Sequence, residues 1–126
     1  KNGKLKKMQR ISTMPAGDTS FAGSADIHIS PDGKFLYASN RSNSNTIAIY
    51  SVNQKGKLTL INHQSTLGKT PRNFNLDPSG KFLLVGNQNS DEIVIFNRDP
   101  ASGLLSDSGR RIVVGKPVCI KWITSQ

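Results

Sequence analysis

Arg41, Arg72 and the pair Asp26 and His28 are the side chains of this 126-residue sequence best suited to chemistry, together with a run of amides and acids over 87–92. Arg72 lies between Pro71 and Asn73. A guanidinium there could clamp a carboxylate or phosphate through paired hydrogen bonds, or it could bond loop carbonyls. Arg41 could stabilise the oxyanion formed when water attacks a carbonyl, or pair with Asp26 or Asp91. His28 and Asp26 share one side of a strand, because side chains two residues apart point the same way. His28 is a candidate general base, with a structural hydrogen-bond network as the alternative. Arg41, Arg72 and His28 form the expected catalytic set, and Asp26, Asn87 and Gln88 the expected substrate-binding set. The sequence has no glycine-rich phosphate loop, no metal-spaced His or Cys cluster and no Gly-x-Ser-x-Gly elbow. The chemistry expected is therefore acid–base, with no metal and no cofactor.

These residues are positioned by a repeat. Ser30-Pro-Asp-Gly-Lys-Phe-Leu-Tyr-Ala-Ser-Asn40 returns 47 residues later as Asp77-Pro-Ser-Gly-Lys-Phe-Leu-Leu-Val-Gly-Asn87, with six of eleven positions identical. Ile47-Ala-Ile-Tyr50 matches Ile93-Val-Ile-Phe96, and a third copy opens at Pro117, matching Pro71. Each copy reads as four short strands. In the first, alternating apolar residues mark strands near 26–30, 35–39, 46–52 and 57–65. Ser30-Pro-Asp-Gly33 and 53–56 read as turns, 41–45 as a polar loop. No stretch has a helical period. Four-stranded units recurring every 40–50 residues are the mark of a β-propeller, in which each sheet buries its two apolar faces against its neighbours.

The expected organisation is all-β: a last strand and loop over 1–24, full blades over 25–68 and 69–115, and a first strand over 116–126. That is ten strands, or about two and a half blades. Connections in such a sheet alternate ends, so 41–45 and 66–72 share one end, where the polar loops gather; loops on a rigid scaffold are common sites of function. The repeat also acts as an internal control. Asn40 matches Asn87, which suggests that both tie strand ends through side-chain-to-backbone bonds. Asp26, His28, Arg41 and Arg72 instead face Asn73, Asn75, Gln88 and Ala25, and such mismatches are candidates for ligand contact.

Composition narrows the classes. Hydrophobic residues are 35% of the chain, below the usual globular share. No apolar run approaches the roughly 18 residues of a membrane span, and no signal peptide is legible. Net charge is +9, with Lys1, Lys4, Lys6, Lys7 and Arg10 all preceding the first acid, Asp18. No aromatic interleaves this cluster, so nucleic acid is not expected as a partner, although the bias would help attract an anionic metabolite. The single cysteine, Cys119, precludes an internal disulfide and reads as a small buried hydrophobe in a cytoplasmic protein. His63, on an outermost strand, reads as surface.

Three stretches carry a family resemblance: Ala25-Asp-Ile-His-Ile-Ser-Pro-Asp-Gly-Lys-Phe-Leu-Tyr-Ala-Ser-Asn-Arg41, Pro71-Arg-Asn-Phe-Asn-Leu-Asp-Pro-Ser-Gly80 and Val114-Gly-Lys-Pro-Val-Cys-Ile-Lys-Trp122. Over residues 1 to about 123 the chain resembles the lactonase family of seven-bladed propellers, at the C-terminal end of a chain of about 330 residues. The resemblance implies hydrolysis of 6-phosphogluconolactone in the pentose phosphate pathway, or a fungal carboxy-muconate lactonising reaction. A non-catalytic binding propeller is the alternative, since fold alone does not set function. The expected partners are an anionic sugar lactone and either the remaining blades or another copy of the chain. Alone, these residues are expected to be inactive.

Overall fold

Alternating apolar residues in short runs between turns favour strands that bury one or both faces, and strands are what form. The computed structural model describes residues 3–123. Eight strands follow in order: β1 Ser24–Ile29, β2 Phe35–Asn40, β3 Thr46–Val52, β4 Leu58–Ser65, β5 Pro71–Leu76, β6 Phe82–Asn87, β7 Glu92–Arg98 and β8 Leu105–Val113. They form two four-stranded antiparallel meanders, β1-β2-β3-β4 and β5-β6-β7-β8. One short 3₁₀ turn, Gln88–Ser90, replaces the polar loop of the first copy.

The terminal segments differ from the expectation of ten strands. Residues 3–11 and 116–123 belong to no strand, since a strand needs a backbone ladder with a neighbour and among the described residues these segments are held through side-chain bonds instead. The outer parts of both expected strands, 1–2 and 124–126, lie outside the described residues. Lys4, Lys6, Lys7 and Arg10 are exposed.

The main core lies between the two sheets. Phe35, Tyr37, Ile47 and Ile49 of the first meet Phe74, Leu76, Leu83, Val85, Val94, Phe96 and Leu105 of the second. The outer face of the first sheet carries a smaller cluster, Ala38, Ala48 and Tyr50, against which Ile11, Leu36 and Leu58 pack. Residues 8–13 are held on that face by side chains. The Tyr50 hydroxyl donates to the Ser12 carbonyl at 2.6 Å, Asn40 Nδ2 to the Thr13 carbonyl at 2.6 Å, and His63 Nε2 lies 2.9 Å from the same oxygen. His63 is therefore a tether, not a bare surface residue.

Arg98 binds the sheets together at the end remote from Arg41 and Arg72. It is 6% exposed, and its guanidinium donates to the Tyr37 hydroxyl, the Gly80 carbonyl and Asp32 Oδ2 at 2.8, 2.8 and 3.0 Å. Its Cζ also sits 5.4 Å from the centre of the Phe35 ring. Burial opposes its charge, but the bonds to Asp32 and Tyr37 outweigh this and hold its pKa above the usual arginine value. Burial likewise works to raise the Asp32 carboxyl, but hydrogen bonds from Ser30, the Lys34 N–H and Arg98 pull it down to about 2.

Candidate anion-binding cleft

The two ends of the sheet pair are built differently. The turns at the far end use Gly33, Gly56, Gly80 and Gly103 where φ is positive, the residue that adopts this conformation without cost. At the end bearing Arg41, positive φ falls on Ser42, Asn45, Leu67, Thr70, Asp91 and Lys116. A bulky or β-branched residue in that region is an outlier, and such strain clusters at functional sites. Just before β1 and β5 the same left-handed position recurs, at Gly23 (φ 53°) and Thr70 (φ 61°), and Lys116 (φ 50°) repeats it ahead of the third copy of the sequence motif.

A β-bulge follows this position. In the second sheet Pro71 pairs with Asn87 and Asn73 with Gly86, so Arg72 is the extra residue, without a partner across the ladder. In the first sheet the ladder breaks between Ser24 and Ile27, the span that contains Asp26. Bulges re-aim side chains. Here they bring Arg72, Asn73 and Asp26 to a polar cleft of about 250 Å³ between the sheets, lined also by Ser24, Ala25, Arg41 and Val118.

Arg41 enters from the other side, at the end of β2. Its Nε donates to the Gly23 carbonyl at 2.7 Å, which leaves its terminal nitrogens free for the cleft. Neither arginine forms an ion pair among the described residues, so the expected alternative for Arg41, a bridge to Asp26 or Asp91, is not formed. Arg72 is exposed and donates to no protein group among the described residues. Two guanidinium groups without a direct ion-pair partner, facing one polar hollow, could hold an oxyanion such as phosphate, carboxylate or a developing alkoxide.

Other expected site residues are placed elsewhere. Asn87 is fully buried and its Nδ2 donates to the Thr66 carbonyl at 2.9 Å, so it closes a loop instead of reaching the cleft. This is the strand-end role that its match with Asn40 suggested. Gln88, the counterpart of Arg41, heads the 3₁₀ turn with its N–H on the Thr70 carbonyl at 2.9 Å, outside the cleft wall. His28 is also absent from that wall. It packs edge-on against Phe74, with ring centres 4.9 Å apart, and its Nε2 lies 3.1 Å from Asp26 Oδ2. Asp26 lines the cleft with both oxygens engaged: Oδ2 also accepts from Asn73 Nδ2 and the Phe74 N–H, and Oδ1 from the Ile27 N–H. Cys119 is exposed, not buried.

Sequence reasoning missed Ser24 as a cleft residue, although its counterpart, Pro71, breaks the repeat as clearly as Arg72 does. Among the described residues, no group of three or more His, Cys, Asp or Glu is placed to hold a metal ion.

Four-stranded antiparallel meanders stacked face to face, with an arginine-bearing cleft at one rim of their junction, are the arrangement of adjoining blades of a β-propeller. The description "Lactonase, 7-bladed beta-propeller" matches residues 1–122. The chain belongs to this family. It is 49% identical over 125 residues to the 6-phosphogluconolactonase of Formosa agariphila, covering 98% of this chain and 35% of that protein. It is 34% identical over 122 residues to that of Bacillus subtilis, covering 96% and 35%. Among solved structures, a candidate 6-phosphogluconolactonase from Bacteroides uniformis superposes with a TM-score of 0.90 at 46% identity over 98% of this chain and 35% of its own. A periplasmic gluconolactonase from Pseudomonas aeruginosa gives 0.93 at 35% identity, over 98% and 34%. The chain thus spans about a third of the length of the relatives it matches.

Proposed function

We propose that the protein carrying this chain hydrolyses a sugar lactone, 6-phosphogluconolactone, in the pentose phosphate pathway, and that the Arg41–Arg72 cleft holds the substrate's anionic groups. The observation that carries this reading is the convergence of two arginines, 31 residues apart in sequence, on one inter-sheet junction. At the next junction the corresponding positions are Gln88 and Val118, so the charge pair is not a general blade feature.

In the reaction, water adds to the lactone carbonyl. Arg41 stabilises the oxyanion, the ring C–O bond breaks, and the departing alkoxide is protonated to give the hydroxy acid. Arg72 clamps the distal anion. The cleft wall offers no free base: both oxygens of Asp26 accept protein hydrogen bonds, and His28 stands outside it. We therefore assign the proton acceptor to another sheet of the ring, with His28 supporting Asp26. The name shared by the relatives, 6-phosphogluconolactonase, supports the substrate. The lone cysteine supports a cytoplasmic location, which subcellular fractionation would test, since one structural neighbour is periplasmic. No described helix is long and apolar enough to cross a membrane.

The test is lactone hydrolysis, corrected for the spontaneous rate, in a closed-ring protein carrying this chain. Arg72→Ala lowers kcat/KM at least about tenfold; an unchanged value would remove Arg72 from the site.

A further inference from the structure

A second feature of the cleft concerns the choice of acid at position 26. Neighbouring inner strands are stapled by a repeated contact. Asp26 Oδ2 accepts the Phe74 N–H at 3.1 Å, and one repeat later Asn73 Oδ1 accepts the Ile120 N–H at 2.6 Å. The staple needs only an acceptor, and an asparagine suffices at position 73. The negative charge of Asp26, which also faces His28 Nε2 at 3.1 Å, is therefore surplus to the staple, and it stands in the wall of the cleft that Arg41 and Arg72 both line.

Asp26 also takes Asn73 Nδ2 at 2.5 Å. That bond fixes the Asn73 amide with its oxygen turned toward Ile120, and it anchors the residue next to the bulged Arg72. The Asp26 side chain is 20% exposed, so its field is only partly screened by water. Without it, the empty cleft would hold two like charges that repel each other and a bulge free to swing outward.

We propose that Asp26 is a positioning residue whose charge, not its staple, sets the arginine pair: it offsets their repulsion in the empty site and holds the Arg72 bulge at its working distance from Arg41. This rests on the cleft being the anion site proposed above. It predicts a split that a structural role alone does not produce. Neutralising Asp26 leaves the fold intact, tightens binding of a simple anion because the cleft becomes more positive, and slows turnover because Arg72 is no longer aimed.

The experiment uses a closed-ring protein carrying this chain, with inorganic phosphate as the probe. For Asp26→Asn, the Tm stays within a few degrees of wild type, phosphate binds about fivefold more tightly by calorimetry, and kcat falls. Asp26→Glu, which keeps the charge, leaves phosphate affinity within about twofold. Phosphate affinity unchanged in Asp26→Asn overturns the proposal. So does an Asp26→Asn protein that does not fold, because the charge would then belong to the staple. If the wild type binds phosphate but opens no lactone, the functional reading fails while the phosphate comparison still decides the role of Asp26. If the wild type binds no phosphate, this proposal falls whatever the lactone assay shows.

Discussion

At the scale of single residues, close packing makes specific demands that the repeat conceals. A Cβ added at Gly103 would overlap the Phe35 ring, at a backbone φ of 74°. Gly33 has a similar φ of 70° but open space around it. Gly103→Ala is expected to cost several kcal/mol, from overpacking plus backbone strain, and Gly33→Ala only about 1 kcal/mol. Thermal unfolding of the two variants side by side checks this, and equal losses would contradict it. Arg98→Met removes a buried guanidinium, strips the Tyr37 hydroxyl of a donor and leaves the Gly80 carbonyl short of a partner. A loss of about 2–4 kcal/mol by denaturant titration is expected.

Asp32, the partner of Arg98, supplies a pH signature. Its folded pKa, about 2, lies below its ordinary value of 3.8. Its contribution is therefore fully present above pH ~4 and is lost as pH falls through its folded value. Asp32→Asn should lower the Tm at pH 6, with the gap to wild type closing between pH ~4 and ~2. A gap that persists at pH 2 would show that its hydrogen-bond geometry matters and its charge does not.

Between elements, the two sheets interlock through large apolar side chains. Phe74 and Phe96 come from the second sheet, Tyr37 and Ile49 from the first, and all four are fully buried. Phe96→Ala should cost about 3–5 kcal/mol, against near neutrality for Leu104→Ala, whose side chain is 39% exposed. At the rim, the left-handed residue followed by a bulge is an element-level device. It occurs at both β1 and β5, yet only in β5 is the bulged residue an arginine.

For the molecule as a whole, the second sheet presents an open apolar groove of about 460 Å³, lined by Phe82, Leu84, Ile95, Ile112 and Trp122 among others. Phe82 and Leu84 sit at the repeat positions of Phe35 and Tyr37, which the first sheet uses to pack on the second. In a seven-bladed ring a further blade covers this face. The 126 residues in isolation are expected to bind a hydrophobic dye strongly and to show no lactone hydrolysis, both reversing when the ring is complete. Hydrolysis by the isolated chain at the rate of the closed ring would refute the sharing of the site.

The sequence by itself determined the repeat, its four-strand unit and the end of the sheets where the polar loops meet. Strand periodicity and turn chemistry are local properties, written every second residue and at each Pro-x-Gly. It also marked Arg41 and Arg72 through their departure from the repeat. The same logic singled out Asp26, which does line the cleft, but it could not show the inter-strand bond that Asp26 shares with Asn73: a hydrogen bond depends on what the oxygen meets, not on whether the side chain matches its counterpart. Only the tertiary structure decided that Asn87 turns inward and that His28 lies behind Asp26 and outside the cleft. It alone showed that a bulge no residue type announces brings Arg72 to the cleft that Arg41 also lines, because each of these depends on distances between strands far apart in the chain.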